Sequence, residues 1–299
     1  MSEDYGFLDE ENVEMPGDEF EEIEVADTAE DRDARRQDRE FDEFRKRLKN
    51  VERLKVEQSV FDDATLGALY KLVQDGHVQA FGGPLSTGKE ANVYEARGEK
   101  GNVAVKIYRI SASDFRQMKD YLAGDPRFEG LGNNKQATVL AWTRKEFANL
   151  TRAQKAGVRV PEPIAVQRNV LVMELVGQAD ERRAPRLAEV DVENPQQAYE
   201  VVREYMRRLY AAGLVHGDLS EYNMIVHEGE LVIIDLGQAV TVHHPNAEEF
   251  LERDCYNVAT FFSRQGIEVT GEELEAYVTE PEPEPGSDLE ESSQPDEDG

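Results

Sequence analysis

The chain has 299 residues and a formal net charge of −29, enough length for one large domain or two small ones. Its single cysteine, Cys255, excludes an intrachain disulfide and a cysteine-based zinc site and fits a reducing compartment. No apolar run approaches a membrane span and the N-terminus lacks a basic-then-apolar signal, so a cytoplasmic location with no membrane partner is expected.

The charge is uneven. Residues 1–30 hold 13 acids and no Lys or Arg, and residues 271–299 hold 12 acids and none. Like-charged blocks with few large apolar residues cannot bury enough surface to offset chain entropy. We therefore expect acidic disordered tails over 1–40 and 267–299 around a folded domain over 41–266. The 23 Arg against 11 Lys fit either a salt-rich cytoplasm or an ordinary protein with acidic ends.

Residues 31–58 are densely charged, with Phe41, Phe44, Leu48, Val51 and Leu54 spaced as a narrow helical stripe that packs along its own domain. Asp62 or Asp63 can cap a helix through Leu66, Leu69, Tyr70, Leu72 and Val73, stopped by Gly76. No basic recognition helix follows it, so no intrinsic DNA-binding domain is expected. Then come Gly82–Glu90, Ala91–Ala96 and Asn102–Tyr108, read as three strands of an antiparallel meander. The run Gly83-x-x-x-x-Gly88-Lys89-Glu90 nearly spells a phosphate loop of the Walker type, but such a loop must open a helix, whereas this one turns into a strand. Ser86, Thr87 and Gly88 are small enough to let the hairpin backbone close over phosphates. Residues 111–137, rich in Gly and Asn, read as a long mobile insertion.

A helix is predicted over about Thr138–Ala156, ended by Gly157. Glu146 is its only acid and is taken as the ion-pair partner of Lys106. Ile164–Val166 and Val170–Leu175 make a hairpin whose exit, 173–177, leads into the second half. Gln197–Ala212 reads as an amphipathic helix. Leu214–Val226 and Leu231–Gly237 then carry His216, Asp218, Asn223 and Asp235 at the ends of a hairpin turned at His227–Glu230. A hairpin brings its ends together, so two carboxylates and an amide oxygen converge into a ligand set for Mg²⁺ and phosphate, with one carboxylate left to take a proton. The order H-x-D-x-x-x-x-N, strand, D-x-G is the catalytic-loop pattern of protein kinases, and Val103–Lys106 matches their V-A-I-K strand, making Lys106 a ligand of the α/β-phosphates. A last helix is expected over about Ala247–Arg264.

With Ser86-Thr-Gly-Lys-Glu-Ala91, the Lys106 strand, His216-Gly-Asp218, Asn223 and Ile234-Asp-Leu-Gly237 in order, the sequence resembles the RIO family of atypical protein kinases, its first subfamily. The resemblance covers about residues 50–266. It implies an α+β, reduced two-lobed kinase fold, with an antiparallel β-sheet N-lobe carrying one main helix over about 59–173. A hinge at 173–177 and a mostly helical C-lobe over 178–266 would follow. It also implies that ATP and Mg²⁺ (or Mn²⁺) are used: Ser86, Thr87, Gly88 and Lys89 cover the triphosphate, and the Glu174 and Val176 backbones hold adenine. Lys106 holds phosphate oxygens, positioned by Glu146; Asp218 is the proton acceptor, and Asn223 and Asp235 hold the metal. Gly217 stands where most kinases have Arg, and too little chain follows Asp235 for an activation segment and peptide-docking helices. The resemblance further implies a role in maturation of a precursor small ribosomal subunit, its protein and rRNA, with phosphate transfer to Asp235. Two alternatives stay open. One is a slow nucleotide-binding assembly factor. The other is a small-molecule kinase of the aminoglycoside type, though the C-lobe is short for that.

Overall fold

Asp62 caps helix α1 (Asp63–Gln74) by accepting the Thr65 N–H at 2.7 Å, and Leu66, Leu69 and Leu72 are buried along one side. A computed structural model of the chain describes residues 36, 39–46, 61–110, 115–128, 134–177 and 183–280. From Glu43 onward these form one compact unit, apart from Met1–Asp42. Phe44 of that unit packs on Tyr70 and Phe81, while Leu48, Val51 and Leu54 of the expected stripe lie outside the described residues.

The meander forms as β1 (Ala80–Thr87), β2 (Ala91–Arg97) and β3 (Asn102–Tyr108), with Val93 opposite Lys106. Gly88–Glu90 joins two strands and opens no helix, as the strand pattern of 91–96 required. After β3 come α2 (Phe115–Leu122), α3 (Lys135–Lys155), β4 (Pro163–Gln167) and β5 (Val170–Glu174). The five strands form one antiparallel sheet in the order β1-β2-β3-β5-β4. β3 lies at its centre, with Val103–Tyr108 all buried, and α3 packs against the sheet.

The second half is mostly helical: α4 (Pro195–Ala211), α5 (Ala247–Arg264) and α6 (Gly271–Thr279) enclose Val202, Met206, Val258, Phe262 and Leu274. Between α4 and α5 run β6 (Leu214–Val215), the hairpin β7 (Met224–His227) and β8 (Glu230–Ile233), and β9 (Val240–Thr241), which pairs with β6. The hairpin turn has φ of 50° at Glu228 and 81° at Gly229, the left-handed pair that a two-residue turn of matching twist requires. The α+β, two-lobed architecture is the expected one.

Two boundaries differ from expectation. Part of the insertion expected to be mobile is ordered: α2 buries Met118, Tyr121 and Leu122, and Arg127 binds Asp125 through its side chain at 2.6 Å. Three apolar positions in a helix this short were masked by the surrounding glycines. The acidic tail also begins later than residue 267. Thr270 and Glu273 form a reciprocal cap on α6, with Thr270 N–H to Glu273 Oε2 at 2.8 Å and Glu273 N–H to Thr270 Oγ1 at 3.2 Å. Leu274 and Val278 are then buried, at about 2 kcal/mol each, enough to hold a helix whose exposed face is acidic.

Candidate active site

Lys106 lies on β3 and Glu146 on α3, and Lys106 Nζ reaches Glu146 Oε1 at 2.7 Å and Asp235 Oδ1 at 3.0 Å. Tyr108, two residues along the same strand, donates its hydroxyl to Glu146 Oε2. Burial opposes the Lys106 ammonium, but Asp235 and Glu146 outweigh it and hold its pKa well above the ordinary value. Lys106 holds Asp235 below the usual carboxylate range. Burial pushes Glu146 up, against the pull of Lys106.

Asp235 sits just past β8 with a φ of 63°, and Asn223 sits just before β7. The Asn223 amide donates to the Asp218 carbonyl at 2.8 Å and to Asp218 Oδ2 at 3.2 Å. With the amide hydrogens engaged there, its carbonyl oxygen is the group that can serve a cation. Burial raises the Asp218 carboxyl, His216 opposes this, and Asp235 raises it further. His216 ties loop to strand: Nε2 donates to the Ile234 carbonyl at 3.1 Å and Nδ1 accepts the Asp218 N–H at 3.3 Å.

These groups meet at a cleft of about 470 Å³. Ala104, Met173, Val176, Ile225 and Ile234 give it apolar walls, and Ser86, Gly88, Lys89, Lys106, Asn223 and Asp235 are among its polar lining, as are Arg183, Arg186 and Gln238. Glu174 and Val176 line it too. The Glu174 carboxylate is occupied by Arg159, at 2.8 and 2.6 Å, so only its backbone is available to a ligand. Glu146 is buried behind Lys106. Thr87 is exposed and is not among the cleft-lining residues; Asp218 is not among them either and stands beside the cleft through Asn223.

The RIO domain family matches residues 92–274. The chain belongs to the RIO kinase family. It is similar to the RIO-type serine/threonine-protein kinase Rio1 of Haloferax volcanii, with 69% identity covering 96% of this chain and 99% of that one. Human serine/threonine-protein kinase RIO1 is 42% identical over 77% of this chain, which spans only 42% of that relative's length. The solved Rio2 kinase-ADP/Mg²⁺-phosphoaspartate complex of Chaetomium thermophilum has a TM-score of 0.58 at 27% identity, covering 72% of this chain and 65% of that one.

This RIO kinase carries site features that sequence reading missed. Asp254 of α5 is buried and accepts the N–H groups of Gly217 and Leu219 at 2.7 and 2.8 Å, while Asn257 donates to the Leu219 carbonyl at 3.2 Å. Burial pushes the Asp254 carboxyl up to about 6. Arg253 donates to the Gly217 carbonyl, so the N–H and the C=O of Gly217 are both held from one helix. Gly217 has φ of 77°, and a Cβ there would meet the Gln238 carbonyl oxygen at 3.1 Å, which explains why the usual arginine is missing.

The donors fit Mg²⁺. Among the described residues no group of three or more His, Cys, Asp or Glu could hold a metal, so there is no all-protein cage. Asn223 and Asp235 instead offer two hard oxygens, the small donor set that Mg²⁺ completes with water and phosphate oxygens. No helix among the described residues is long and apolar enough to cross a membrane.

Proposed function

We propose that this RIO kinase transfers the γ-phosphoryl group of ATP in a Mg²⁺-dependent reaction, as a serine/threonine kinase and an ATPase. The observation that carries the proposal is Lys106 Nζ between Glu146 and Asp235, at 2.7 and 3.0 Å, in a cleft that also has the apolar walls of Ala104, Met173 and Val176. A nucleotide fits that polarity, with adenine against Ala104, Met173 and the backbones of Glu174 and Val176, and phosphates toward Ser86–Lys89 and Lys106. When bound, Mg²⁺ neutralises phosphate charge, and Asn223 and Asp235 would hold it.

For a hydroxyl acceptor, Asp218 takes the proton while the γ-phosphorus bonds to the acceptor oxygen and ADP leaves with the bond's electron pair. The raised pKa of Asp218 makes it a better base than an ordinary carboxylate. For Asp235 as acceptor, the carboxylate has no proton to lose, and water then cleaves the acyl phosphate to release phosphate. The phosphoaspartate of the solved Chaetomium Rio2 complex supports this second route. A role in small-subunit maturation rests on the family resemblance alone.

The test is a single turnover with γ-labelled ATP and Mg²⁺, comparing wild type with Asp235→Asn. Hydroxylamine-labile protein label, absent from the variant, together with phosphate release is the expected result. Stable label on Ser or Thr would replace the aspartyl route by a conventional kinase. Neither label nor release would overturn the assignment of catalysis.

A further inference from the structure

Helix α3 turns a polar stripe toward the Asp235 turn: Trp142, Lys145, Glu146 and Asn149, spaced i, i+3, i+4 and i+7. Glu146 is engaged with Lys106, but the other two polar side chains contact neither the cleft nor solvent. Lys145 Nζ donates to the Gly237 carbonyl at 2.9 Å, and Asn149 Nδ2 donates to the carbonyls of Leu236 and Ala239 at 3.1 and 2.8 Å. Both side chains are completely buried. Hiding an ammonium and an amide is costly unless their hydrogen bonds are made, and these bonds go to three carbonyls within four residues of one turn. The turn begins at Asp235, whose φ of 63° is uncommon for a residue with a Cβ and persists only where its surroundings hold it.

We propose that Lys145 and Asn149 are positioning residues that clamp the Leu236–Ala239 turn to the helix carrying Glu146. The carboxylate of Asp235 and the partner of Lys106 are thereby carried on one rigid piece. Trp142 seals the joint: its Nε1 would lie 3.1 Å from a Cβ at Gly237, and the Lys145 ammonium stands 4.8 Å from its ring centre. The helix that supplies Glu146 then needs no separate ordering step before nucleotide binds.

The inference rests on the reading of Asp235 as a Mg²⁺ ligand, and the experiment separates the two. Calorimetry of the full chain with a non-hydrolysable ATP analogue, over a series of Mg²⁺ concentrations, gives the midpoint of the Mg²⁺-dependent gain in affinity. Lys145→Met and Asn149→Ala should each move that midpoint up about tenfold, the equivalent of one strong hydrogen bond. Analogue affinity in EDTA should stay within about twofold, because the clamp acts on the metal carboxylate and leaves the adenine walls untouched. Each variant is measured below its own unfolding transition, and if Lys145→Met does not fold, Asn149→Ala carries the test without exposing a buried charge. Folded variants with an unchanged Mg²⁺ midpoint, whatever their melting temperature, would reduce the stripe to core packing and overturn the clamp. A wild type with no Mg²⁺ dependence would overturn the reading of Asp235 itself.

Discussion

Lys145 also makes a stability prediction with a definite sign. Burial of its ammonium, partly offset by Asp125, lowers its pKa from 10.5 to about 7. Between those values the unfolded chain holds a proton that the folded chain lacks, so unfolding free energy rises by about 1.4 kcal/mol per pH unit. Below about pH 7 both states are protonated and the fold carries the full cost of the buried charge, about 5 kcal/mol. As pH rises toward 10.5 that cost disappears. Lys145→Met removes the linkage and also removes the bond to Gly237, worth about 1–3 kcal/mol. The variant should therefore be the more stable protein at pH 6.5, and its advantage should shrink by about 2–3 kcal/mol between pH 7 and 9. The assay is urea unfolding of both proteins across that range, followed by emission of Trp142, the chain's single tryptophan. Other titrations, such as that of Cys255, whose thiol burial pushes up, are common to both proteins and cancel in the difference. Stability curves that stay parallel from pH 6.5 to 9.5 would refute the reasoning.

Three substitutions probe the rest of the site. Asp218→Asn should slow single-turnover phosphoryl transfer by about 10²–10⁴ while analogue affinity changes little, since Asp218 stands beside the cleft; a near-normal rate would remove it as the base. Lys106→Met should weaken both nucleotide binding and turnover, and lower stability by about 3 kcal/mol by leaving Glu146 buried without its partner, which denaturant titration reads directly. Gly217→Arg, the residue most kinases carry, should cost at least about 1–2 kcal/mol from the left-handed backbone alone, with further loss from contact with Gln238; an unchanged melting temperature would contradict the strain.

What the sequence makes legible here is local. The hairpin over Met224–Ile233 could be read because its strands are short apolar runs and its turn is Glu228-Gly229, where glycine relieves the backbone. Its ends had to meet, which brought Asn223 and Asp235 together, and the Lys106–Glu146 pair followed from a lone acid in a helix downstream of a lone strand lysine. Charge counting misled at α6, because four acids in 271–280 outweighed Leu274 and Val278 even though Thr270-x-x-Glu273 already spelled a cap. Asp254 could not be read at all: its partners are two backbone N–H groups 35 and 37 residues away, and backbone leaves no mark in a sequence.

Lys145 and Asn149 fall between these cases, and they show what signal is available. Their acceptors are carbonyls 87 to 92 residues distant, equally silent in the sequence. Yet Lys145, Glu146 and Asn149 share the helical face of Trp142, close to buried Ala141 and Leu150, where an ordinary amphipathic helix would place apolar residues. A cation and an amide on the buried side of a helix must each find acceptors, since an unpaired polar group there costs more than any packing it could supply. Read that way, a break in the apolar stripe points to fixed polar partners across the core, and here those partners are the carbonyls of the Leu236–Ala239 turn.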